Sequence, residues 1–126
     1  MRLVERIEAA GLSPEALAAF REGLLDVAGA GRFASMEHTI LLGFLDRLVP
    51  HDAEPGELRA LWPHAELFLT AALTVAVSDG VYGVEEARVI GTFAARLGYP
   101  PADLAELEGR VFDELAARGR ALKDQG

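Results

Sequence analysis

Residues 69–98 read LTAALTVAVSDGVYGVEEARVIGTFAARLG. The first nine of these carry no charge, and alanine and leucine recur among them at every helical offset. A helix that is apolar nearly all round belongs in the middle of a core. The segment that follows, Asp79-Gly80-Val81-Tyr82-Gly83, has the chemistry of a turn, since Asp-Gly favours chain reversal. A second helix then enters through Val84, Glu85 and Glu86, places Ala87, Ile90, Phe93, Ala94 and Leu97 on one face, and stops at Gly98. This helix–turn–helix decides the fold class: an all-α bundle organised around residues 69–98.

Reading outward, Pro100-Pro101 opens a last helical region with Leu104, Leu107, Val111, Phe112 and Leu115 on its inner face, a break expected near Gly109, and a polar, frayed tail from Arg118. On the other side, Pro63 is expected to begin the central helix, after a short helix from Glu57 to Trp62 and a polar loop, 51–56. A helix from Ser35 to Val49 turns Leu41, Phe44, Leu45 and Leu48 inward and is stopped by Pro50. Ser13 caps a helix that begins at Pro14 and carries Leu17, Phe20, Leu24, Val27 and Ala28. A first short helix, Arg2 to Ala10, ends at Gly11. The sum is one compact domain, 1–126, of six or seven helices. An offset of 49 residues aligns Leu24 with Leu73, Gly31 with Gly80, Phe33 with Tyr82, Glu37 with Glu86, Phe44 with Phe93 and Leu58 with Leu107. Two pseudo-repeated hairpins would produce this match, and so would any two amphipathic hairpins of similar length.

The 126 residues can build a real core without staples, and there is no cysteine to supply disulfides or thiolate ligands. The net charge is −8, with no basic stripe. That argues against nucleic acid, which needs cationic groups opposite its phosphates. It suits divalent cations or basic partner segments. The longest uncharged run, Leu67 to Ser78, falls short of the about 20 apolar residues of a membrane span. The N-terminus, MRLVERIEAAGL, interrupts its apolar pattern with Glu5 and Glu8, unlike a signal peptide. A cytoplasmic protein without membrane insertion is expected.

The acidic turn reads two ways. Asp79, Gly80 and Glu86 occupy the fifth, sixth and twelfth places of a calcium loop, but the first and third would be Val75 and Val77, which cannot ligate. A cation here would need oxygen ligands from elsewhere in the fold. Alternatively, Gly83 is the N-cap, Glu86 the third helical residue in capping-box position, and Glu85 a complement to the helix dipole. The spacing of Glu86 from Ile90 and Phe93 puts it on the core side, and Asp79 continues the line of Ala72 and Ala76. Glu37 bears the same relation to Leu41 and Phe44. Inward carboxylates are costly unless satisfied. A divalent cation would satisfy them, and so would Arg88 or Arg32.

The run Ser78-Asp79-Gly80, apolar Val81 and Tyr82, Glu85-Glu86 and the exit Arg96-Leu97-Gly98 resembles the TerB-like (tellurite-resistance) family, which also includes the N-terminal domain of DjlA-type co-chaperones. The resemblance covers about Leu67 to Leu107, and the rest only in helix layout. It implies an all-helical, non-enzymatic stress-response module whose acids bind a divalent metal: calcium, magnesium, manganese or zinc. Asp79 and Glu86 are the matched acids, and Glu85 is a lesser one. The chain departs from the pattern at Gly83, where Ser or Thr is usual, and at Val84, where Pro is common. The corresponding turn of the first half, Ala30-Gly31-Arg32, lacks an Asp, and no J-domain signature is present.

Other chemistry finds little support. His38, His51 and His64 make no HxxxH or HExxH spacing. Ser13, Ser35 and Ser78 lack a base and a nucleophile elbow, and Gly29-Ala30-Gly31 lacks the lysine of a P-loop. Two functions remain. One is a metal-binding module using Asp79, Glu86, Glu85 and Glu37. The other is a helical protein-interaction domain with a purely structural turn and a partner surface near Trp62 or Tyr82.

Overall fold

A computed structural model describes residues 3–30, 43–49, 57–77 and 83–125. The elements are α1 (Leu3–Ala9), α2 (Pro14–Ala30), α3 (residues 43–48), a 3-10 helix (Leu58–His64), α4 (Ala65–Val77), α5 (Val84–Arg96) and α6 (Pro101–Gln125). No strand occurs among the described residues, so the all-α bundle expected from the pattern is what forms.

From Phe68 to Ala76 every residue of α4 is buried. The two polar members of that run satisfy themselves locally. The Thr70 hydroxyl donates to the Glu66 carbonyl at 2.7 Å and the Thr74 hydroxyl to the Thr70 carbonyl at 2.8 Å, so neither needs a partner outside the helix. Around α4 pack α1, α2, α5, α6 and the 3-10 helix, while α2 also meets α5 and the 3-10 helix. Phe68 stands at the centre. Its ring meets Phe20 of α2 edge-on at 5.3 Å and Phe93 of α5 at 5.3 Å, with interplanar angles of 90° and 83°. One turn along α2 from Phe20, Gly23 leaves room for that ring: a Cβ there would clash with Phe68 Cζ and lie 2.5 Å from Cε1.

Helix ends follow the local chemistry. Ser13 Oγ accepts the Ala16 N–H at 3.1 Å, and the Ser13 carbonyl accepts the Leu17 N–H at 2.9 Å. Leu12 and Leu17 flank this cap in staple positions, and both pack against the core. Ser13→Ala should therefore cost about 1 kcal/mol, read as a lower urea midpoint with an unchanged slope. Gly11 and Gly98 take φ of 62° and 70°, left-handed values that favour glycine. At the end of α5 the Gly98 N–H donates to Ala95 and the Tyr99 N–H to Ala94, the paired bonds of a Schellman motif.

The structure corrects the sequence pattern in several places. Pro63 does not start α4. It is the sixth residue of the 3-10 helix, which runs into α4 without a gap. The combined run Leu58–Val77 has the 20 residues of a span, longer than the uncharged stretch implied. Half of it is buried inside the fold, which is the state of a core helix and is compatible with a water-soluble protein. Leu48 is 38% exposed because α3 centres its core face on Leu45, leaving Phe44 and Leu48 on one flank. Phe112 is 39% exposed, since it follows the buried Val111 by one position, about 100° round the helix. α6 does not break at Gly109 and is helical to Gln125. At the 49-residue offset, Leu24 and Leu73 are both buried, and α2 packs on the 3-10 helix as α4 packs on α6. The aligned turns, with Gly31, Phe33, Glu37, Gly80 and Tyr82, lie outside the described residues. An ion pair, Arg21 Nε to Asp46 at 2.6 Å, links α2 to α3.

Candidate functional site

The acidic turn resolves into distinct roles for its two adjacent glutamates. Gly83 is the N-cap of α5, with extended backbone angles of −80° and 162°. Its N–H donates to Glu86 Oε1 at 3.2 Å, and its carbonyl accepts the Ala87 N–H at 3.0 Å. This is half of a capping box: the carboxylate reaches back to the cap, but glycine has no side chain to return the bond. Glu86 is 8% exposed and is the charged side chain that the fold buries among the described residues. Its negative charge sits in the first turn of α5, where the helix dipole favours it.

Glu85 points the other way. Its side chain is 66% exposed and lies 3.6 Å from Arg88 Nη1, one turn on. Such a pair contributes little to stability in water. It also occupies the arginine that was one alternative partner for the inward acids. Asp79 and Glu37, like Arg32, Ser78, His38 and His51, lie outside the described residues. Of the four candidate ligands, then, the structure places Glu86 inward and Glu85 outward. Among the described residues no three His, Cys, Asp or Glu side chains gather in a way that would hold a metal.

A second polar region had no sequence signal. A cleft of about 440 Å³ between α1, α4 and α6 is lined by Arg6, Glu66, Thr70, Leu107, Arg110 and Val111, among others. A neighbouring one of about 420 Å³ shares Arg6 and Glu66 and reaches His64 and Pro63. Arg110 Nη2 donates to Glu66 Oε1 at 3.1 Å across the mouth. Tyr99 lies within the field of this pair. Burial pushes its hydroxyl above the ordinary phenol value, Glu66 pushes the same way, and Arg110 opposes them. Glu66 and Arg110 are far apart in the chain, so no local pattern could have paired them.

No family model, no curated protein and no solved structure matches the chain. The chemistry of the site rests on its own residues.

Proposed function

We propose that the chain is a non-enzymatic, cytoplasmic stress-response module of TerB type, and that its acidic turn holds a divalent cation between Asp79 and Glu86. The observation that supports this is the burial of Glu86 in the first turn of α5, with Oε1 tied to the Gly83 N–H. Carboxylates that ligate metals are themselves hydrogen-bonded, which fixes the direction of the ligating oxygen. A hard cation such as calcium, magnesium or manganese suits an all-oxygen set, and zinc accepts it less readily.

The test is thermal unfolding of metal-stripped protein with each ion added in turn. An ion at about 100 times its dissociation constant adds roughly 2.7 kcal/mol, a shift of several degrees. Glu86→Gln separates the two roles of the side chain. Its amide oxygen still accepts the Gly83 N–H, so the cap survives while the charge is lost. The metal shift should vanish in Glu86→Gln and in Asp79→Asn, while metal-free Glu86→Gln loses only the helix-dipole contribution, about 0.3–1 kcal/mol. Glu86→Ala, which loses the cap as well, should fall by about a further 1 kcal/mol even without metal. If no ion moves the parent protein, the turn is capping chemistry and the metal site is rejected.

A second reading has its own observation. Trp62, the only tryptophan, is 60% exposed on the 3-10 helix beside the fully buried Leu61. An exposed tryptophan is a common anchor for a protein partner. In this reading Trp62→Ala leaves the melting temperature within about a degree, because little buried area is lost. It abolishes capture of a partner that the parent retains, and in the parent that partner shields Trp62 from acrylamide quenching. Quenching that is unchanged by every captured protein would count against it.

A further inference from the structure

We draw no further inference here: the strongest candidate, the cleft between α1, α4 and α6 lined by Arg6, Glu66, Arg110 and Asp113, carries exposed charges of both signs, has its Glu66 and Arg110 already paired and its buried Thr70 hydroxyl already bonded to the Glu66 carbonyl, so that nothing in it selects a ligand.

Discussion

Phe68→Ala should lower the stability of the fold by about 3–5 kcal/mol. A domain of this size has about 5–15 kcal/mol in all, so the variant would be near the edge of folding at room temperature. Phe68 has no exposed surface and sits between Phe20 and Phe93. Removing the ring leaves a cavity at the meeting point of α2, α4 and α5, and it also removes two edge-to-face contacts worth about 0.5–1.5 kcal/mol each beyond their area. Urea unfolding followed by far-ultraviolet circular dichroism measures the loss. Phe93→Ala, on a half-buried ring, should lose distinctly less. A Phe68→Ala loss below about 1 kcal/mol would mean that the core can collapse around the site, contrary to its place in the packing.

Gly23→Ala is the reverse experiment. In most exposed helical positions alanine stabilises over glycine by about 1 kcal/mol. At Gly23 the new methyl would overlap the Phe68 ring, and overpacking of this kind costs typically about 1–3 kcal/mol. The overlap should win, with net destabilisation. Gly109 supplies the control: it lies in α6 with nothing within 4 Å of a would-be Cβ, so the same substitution there should stabilise. Phe68→Leu, which shortens the opposing side chain, should partly rescue Gly23→Ala in a double-mutant cycle. Stabilisation by Gly23→Ala alone would show that α2 and α4 are not held at this distance.

What was legible in the residues divides along a physical line. The features set by nearest neighbours were readable: the Ser13 cap, the Gly11 and Gly98 stops, the apolar α4, and Glu86 facing inward from the first turn of α5. Each depends on a few consecutive residues and on helical geometry. Positions at the border of a stripe were less so. Leu48 and Phe112 have the right residue type and nearly the right phase, but exposure depends on how far each helix is rolled, which neighbours far away in sequence decide. The Gly23–Phe68 approach and the Glu66–Arg110 pair are tertiary throughout, and helical periodicity carries no trace of them. For the turn, helical phase already set Glu86 apart from Glu85, and the structure shows Glu86 buried and Glu85 exposed.

The place of α4 in the middle of the chain also governs how the molecule comes into being. Phe20 is made 48 residues before Phe68, its principal contact, and Phe93 follows later still. At about 5–20 residues per second of synthesis, the apolar side of α2 waits several seconds for the helix that will cover it. The central contact then closes a long loop, which costs entropy before any packing is gained. A nascent chain halted between the two halves would therefore expose Phe20, Leu24 and Val27 together and would be a natural client for holding chaperones. It would commit to its final shape only once α4 has left the ribosome.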